Sequence, residues 1–189
     1  MKKNIFFNPE ELNFLGKDVI VGKTVRIRKP QNVSIDQESI IDDFTYISAA
    51  LEVKKFVHIA SSCTISGGNG HCVIGNFSTL ATHVSIHCGS TDYTSLTLDH
   101  PAVPEELRFG GENGDISIGD FCVIGAHSCI LPGVRIPDGV AFGAYSLIKN
   151  REYKPYHLYA GGVKCRDLGE RDLSHIDKIE EAKNKYNLK

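Results

Sequence analysis

The sequence predicts an all-β chain wound as a three-sided coil of short parallel strands. Three observations carry this. An apolar residue recurs at every sixth position through Ile118, Ile124, Ile130, Ile136, Phe142 and Ile148. A smaller residue stands two positions before each: Ile116, Cys122, Ser128, Val134, Val140 and Ser146. The same register runs through Ile35, Ile41, Ile47, Val53, Ile59 and Ile65, then through Ile74, Leu80 and Ile86, with Val21 and Ile27 ahead of it. Side chains alternate along a strand, so each large residue and its small partner share one face. A turn then follows, often at glycine, as at Gly119, Gly125 and Gly143. Three such units make a coil of roughly 18 residues, and coils stack at about 4.8 Å.

The elements follow in order. Asn8-Pro9-Glu10-Glu11 is a helix start, with Asn8 as cap, Pro9 in the first turn and Glu11 in the capping-box position. A short helix over about 8–15 is expected, inside an N-terminal segment 1–18. The coil occupies 19–166. Counting in threes from Ile35 assigns the apolar residues to faces A, B and C. The period breaks at three places: eight residues from Ile27 to Ile35, nine from Ile65 to Ile74, and 32 from Ile86 to Ile118. All three insertions leave the corner between faces C and A. A solenoid carries its functional loops along one edge. This edge is therefore the expected site, with the excursion 87–117 as its main wall. His83 and His127 each lie three residues after a face-B aliphatic, so they should stack at one corner, with Ser62 and Tyr145 continuing the column. The C-terminal segment 167–189 should hold a helix over 171–186. Its stripe is Leu173, Ile176, Ile179, Ala182 and Tyr186, and it either closes the open end of the coil or packs on a neighbouring subunit.

Composition narrows the function. With 189 residues and 41% apolar content, the chain holds one packed domain. A net charge of −2 does not point to nucleic acid. No apolar run approaches a membrane span. The basic start Met1-Lys2-Lys3 meets Pro9, Glu10 and Glu11 too soon for a signal peptide, so a cytoplasmic protein is expected. Six cysteines form no CxxC pair. Three of them, Cys63, Cys72 and Cys122, occupy small-partner positions, which fits free buried thiols.

The tract from Ile118 to Ile148, with the tail Tyr159-Ala160-Gly161-Gly162-Val163-Lys164, resembles the hexapeptide-repeat acyltransferases. It is most similar to sugar O- and N-acyltransferases of bacterial surface polysaccharide synthesis, lipopolysaccharide included. The resemblance covers about 19–166 and implies a left-handed parallel β-helix, a homotrimer, and acyl transfer from acetyl-CoA or another acyl-CoA to a sugar hydroxyl or amine, the sugar nucleotide-linked. No metal is implied. By position, backbone near Ala126 and Ala144 would hold the pantetheine arm, and Lys149, Lys164 and Arg166 would meet the CoA phosphates. The tail departs from the family's Ala-Gly-x-Pro-Ala, since Val163 stands in place of the proline.

Acyl transfer needs a positioned acceptor, a route for its proton and donors for the oxyanion. His58 points outward from a flat face, and His87 stands at the root of the excursion. Either is a candidate base. His100-Pro101 resembles the His-Pro of galactoside acetyltransferase. Gly89-Ser90-Thr91-Asp92-Tyr93 resembles a Ser-Thr-Asp-Asp-Tyr stretch of amino-sugar acyltransferases, which gives Asp92, with Asp99 beside it, the acceptor-orienting role. Two other readings remain. A γ-class carbonic anhydrase-like metalloenzyme shares this fold but needs three zinc-bound His, two of them five apart; here His83 and His87 are four apart. A non-catalytic trimeric scaffold would need neither the excursion nor the basic tail.

Overall fold

Six full turns of a left-handed parallel β-helix, and part of a seventh, form the body of the molecule. The computed structural model describes residues 6–188, so the basic start at 1–5 lies outside the described residues. Face A stacks Phe14–Leu15, Val33–Ile35, Ala50–Val53, His71–Ile74, Ile116–Ile118 and Arg135–Ile136. Face B begins at Ile20–Val21 and ends at His157–Ala160 and Arg166–Glu170. Face C runs from Arg26–Ile27 to Leu147–Ile148. The registers match the repeat: Ile74 pairs with Val53 and Ile118, Leu80 with Ile59 and Ile124, and Ile86 with Ile65 and Ile130. All these residues are fully or almost fully buried. Among the described residues, no helix is long and apolar enough to cross a membrane.

The small partners explain how the narrow prism tolerates polar atoms. Ser39, Ser78, Ser128 and Ser146 are buried, yet each hydroxyl donates to a turn carbonyl, as Ser78 does to Gly119 at 2.7 Å. Ser78 Oγ also accepts from the Cys122 amide at 2.9 Å, so the hydroxyl stitches one coil to the next. Among the described residues, no buried side-chain polar atom lacks a partner.

The turns differ from the simple glycine rule. The left-handed residue falls two places after the glycine position, at Phe56, Phe77 and Phe121 on the A–B corner and at Ser62, His83, His127 and Tyr145 on the B–C corner. Glycine is needed for clearance. A Cβ on Gly125 would lie 2.4 Å from the Ala144 amide nitrogen of the next coil. The B–C column stacks as expected: His83 and His127 ring centroids are 4.7 Å apart, and His127 and Tyr145 are 4.8 Å apart.

Both ends correct the sequence reading. The helix expected over 8–15 is a single 3-10 turn, Pro9–Glu11, with Asn8 accepting from the Glu10 amide at 3.2 Å. The chain then extends because the coil claims its backbone: Asn13 donates to Val33 at 3.0 Å and Gly16 to Ile35 at 2.7 Å. Leu15 stands six before Val21, in phase with the repeat. The C-terminal helix begins later than expected, at Ile176, and ends at Tyr186. The preceding residues, Arg166–Glu170, form an antiparallel strand over the last face-B strand, and this strand covers the sheet edge. The helix then runs back along the A–B corner. Tyr186 packs on Phe56 at 4.4 Å, and Lys183 lies over Phe121. The predicted stripe is its half-buried side.

Candidate active site

The three insertions meet. Arg28 and Lys29 come from the first, Ser66–Asn69 from the second, and the excursion supplies Gly89–Thr91, Asp99–Pro101 and Arg108–Asn113. Together with Tyr46 and Ser48 of face C they line one cavity of about 600 Å³. Backbone geometry holds its neck shut. Cys88 donates to the Ser66 carbonyl at 2.7 Å, and Gly114 donates to Cys88 at 3.0 Å. Gly89–Ser90 pairs antiparallel with Glu112–Asn113. Asn113 Oδ1 accepts from the Asn69 amide at 3.0 Å, tying the second insertion to the third. Arg108 braces the far wall by donating to the Val103 and Pro101 carbonyls at 2.7 and 3.0 Å.

The cavity carries both signs of charge. Arg28, Lys29 and Arg108 are its cations; Asp99 and Glu112 are its carboxylates. Asp99 accepts from the Thr91 hydroxyl at 3.2 Å. Asp99 and His100 both line the cavity. Asp92 does not line the cavity. Its carboxylate caps a local turn, accepting from the Thr94 amide and hydroxyl at 2.8 and 2.6 Å. The Thr94 and Ser95 hydroxyls and the Thr94 amide hold its pKa down at about 2, so it stays ionised.

The two candidate bases separate. His58 stands exposed on face B, its Nε2 paired with Asp42 at 2.8 Å. His87 stands on face C, half-buried, and desolvation lowers its pKa, so it is a neutral imidazole at neutral pH. His87 pairs in register with Ser66, a cavity residue. It belongs to one outward column on face C: Arg28, Ser48, Ser66, His87, Leu131 and Lys149, one residue past each inward aliphatic. At about 4.8 Å per rung, His87 lies one rung from the cavity and two from Lys149.

Sequence reasoning missed Arg28, Lys29, Arg108 and Glu112. The available signal was their place inside the first and third period breaks. No protein-family model matches the chain. The chain is 30% identical over 173 residues to dTDP-4-amino-4,6-dideoxy-D-glucose acyltransferase of Escherichia coli, with 89% of this chain and 88% of that protein covered. The chain belongs to the hexapeptide-repeat sugar acyltransferases. It is an acyltransferase that acts on a sugar. Two solved structures of AntD, an N-acyltransferase from Bacillus cereus, share its fold over 98% of this chain and 100% of theirs. One, in complex with dTDP and 3-hydroxybutyryl-CoA, is 27% identical with a TM-score of 0.83. The other, in complex with dTDP-4-amino-4,6-dideoxyglucose and coenzyme A, is 26% identical with a TM-score of 0.79.

In this acyltransferase the expected CoA contacts gather at the far end of face C. Ala126 and Ala144 stack on the B–C corner, where Tyr145 donates to the Ala126 carbonyl at 2.8 Å. Lys149 is exposed just beyond the last face-C strand, and its carbonyl accepts from Tyr153 Oη at 2.7 Å. Lys164 closes the 3-10 turn Gly162–Lys164, which packs on Leu147–Ile148, and Arg166 opens the capping strand. Among the described residues, no three His, Cys, Asp or Glu side chains gather as a metal-holding group.

Proposed function

We propose that this enzyme transfers an acyl group, acetyl first, from acyl-CoA to the amino group of a nucleotide-linked amino sugar. It acts as a cytoplasmic homotrimer in surface polysaccharide synthesis, lipopolysaccharide included. The catalytic unit is the coil with its excursion 87–117. One observation carries the reading: a cavity built from all three insertions, lined by both cations and carboxylates, opens one rung below a neutral histidine. A nucleotide-linked amino sugar carries phosphates and an amine. Arg28, Lys29 and Arg108 suit the phosphates as charge-assisted donors. Asp99 suits the amine and the ring hydroxyls. The acyl donor lies along the upper column, its pantetheine arm beside Ala126 and Ala144 and its phosphates toward Lys149, Lys164 and Arg166. The amine nitrogen attacks the thioester carbonyl, His87 takes the proton from nitrogen, and the CoA thiolate leaves. The proton passes to that sulfur, giving amide and CoA thiol.

The test is release of free CoA thiol from acetyl-CoA with dTDP-4-amino-4,6-dideoxyglucose as first acceptor, then related nucleotide amino sugars and free amino sugars. Turnover that depends on the nucleotide supports the reading. Release with galactosides alone, or none with any amino sugar, overturns it. Light scattering in solution reads the trimer.

A further inference from the structure

The six cysteines are chemically unequal. Cys63 and Cys122 are inward small partners, and burial pushes their thiols up to about 11 and about 12. Such thiols are poor nucleophiles. Cys72 and Cys88 are also buried in the core, and they flank the C–A corner from its two sides. Cys72 opens the face-A strand after the second insertion, and Cys88 follows the face-C strand at the root of the excursion. Gly70 packs against Cys88, and a Cβ there would meet Cys88 Cβ at 3.0 Å. The Cys72 thiol donates to the Cys88 sulfur, which lowers the Cys88 pKa and keeps the proton on Cys72. The two buried sulfurs are therefore neighbours inside the neck, with Cys88 the more acidic of the two.

That neck is also the cavity floor. Gly67–Asn69, just before Cys72, and Gly89–Ser90, just after Cys88, line the cavity. The neck is held by a two-residue antiparallel ladder, a weak element that can open locally to a small oxidant. We infer that Cys72 and Cys88 are a redox modification site: a peroxide-class oxidant joins them, and the bond reshapes the acceptor cavity. The Cys88 thiolate attacks a peroxide oxygen, giving a sulfenic acid and hydroxide. The Cys72 sulfur then attacks the Cys88 sulfur, displacing a second hydroxide. The two thiol protons and two hydroxides make two waters, so two thiols and one hydrogen peroxide become one disulfide. Forming a bond of about 2.05 Å draws the two insertions together.

This rests on the proposed acceptor site only for its kinetic half. The experiment treats the full-length protein with hydrogen peroxide, denatures it, caps thiols with N-ethylmaleimide and counts adducts by mass. Six adducts are expected before oxidation and four after, restored by dithiothreitol. Chymotryptic cleavage after Phe77 and Leu80 separates the two cysteines and should show Cys72 joined to Cys88, with the label on Cys63. Cys88→Ser should keep its remaining five. The oxidised enzyme should show an acceptor KM raised by about tenfold, with the acyl-CoA KM unchanged. Six adducts after oxidation, a bridge elsewhere, or thiol loss in Cys88→Ser equal to wild type overturns the pair. A bridge that leaves acceptor KM unmoved overturns the coupling. An enzyme inert toward amino sugars that still forms the bridge faults the proposed function and not this site.

Discussion

His87 combines a position between the two substrate regions with an environment that keeps its ring neutral. His87→Gln retains bulk and removes the basic nitrogen, so kcat should fall about 10²-fold or more while both KM values stay near wild type. The pH dependence has a definite sign. A base works when neutral, and burial lowers the pKa below the ordinary value of about 6.5. The wild-type rate should hold down to that value and fall only beneath it; His87→Gln should lose this limb. Folding follows the same direction. The unfolded chain takes up the proton first, so acid through that window also costs stability. A double comparison tests the two ends of the column. Asp99→Asn should raise acceptor KM and spare acyl-CoA, and Lys149→Ala should do the reverse, each by about tenfold. Equal effects on both substrates would show that the two regions are not separate. The sequence offered His87, Asp99 and His100 because histidine and aspartate advertise chemistry in a loop. Arg28 and Lys29 carry no such signal, since two basic residues after a short strand resemble any surface charge. Only the fold shows that their insertion reaches the excursion.

Each strand is only two to five residues long and gains its stability from stacking on the coils above and below. Stacking makes the turns exacting. Gly125→Ala places a methyl 2.4 Å from backbone that cannot yield without moving a coil. It should cost at least about 2 kcal/mol, a drop in Tm of about 4–8 °C by calorimetry. Phe77 stacks between Phe56 at 4.6 Å and Phe121 at 5.3 Å, with Tyr186 of the helix against it. Phe77→Ala should cost about 2 kcal/mol and expose the helix 176–186 to faster amide exchange. The strands were legible because a large and a small residue repeat with one period, and buried packing accepts little else. The N-terminal turn was not. Asn8-Pro9-Glu10-Glu11 is a true local start, and the helix it opens loses to backbone pairing with Val33–Ile35. The strand Arg166–Glu170 was missed because an edge cap of Arg166, Asp167, Leu168, Gly169 and Glu170 has no apolar alternation to find.

At the scale of the molecule, the gaps in the period were as informative as the period. Insertions of different length leave one corner, so they must be neighbours in space, and the cavity forms where they meet. What stayed illegible was how the long excursion folds back, since its two-residue ladder and the Leu98–Phe109 bridge are set by contacts within the loop. The same architecture separates folding from acceptor recognition. Cys88 and Gly114 are already hydrogen-bonded at 3.0 Å, so the ends of the excursion nearly touch. Replacing 89–113 with a two-residue Asn-Gly turn therefore closes a gap that is almost closed. It also removes a long loop whose closure entropy opposes folding. The shortened chain should keep its coil and melt within about 5 °C of wild type, because the face-A and face-C strands on either side keep their partners. Acyl-CoA should still raise its melting temperature, since the upper column is untouched. Nucleotide amino sugar should no longer do so, because Asp99, His100, Arg108 and Glu112 are gone. A shortened chain that still binds the acceptor would move the sugar site off this corner, and one that fails to fold would show the excursion to be part of the core.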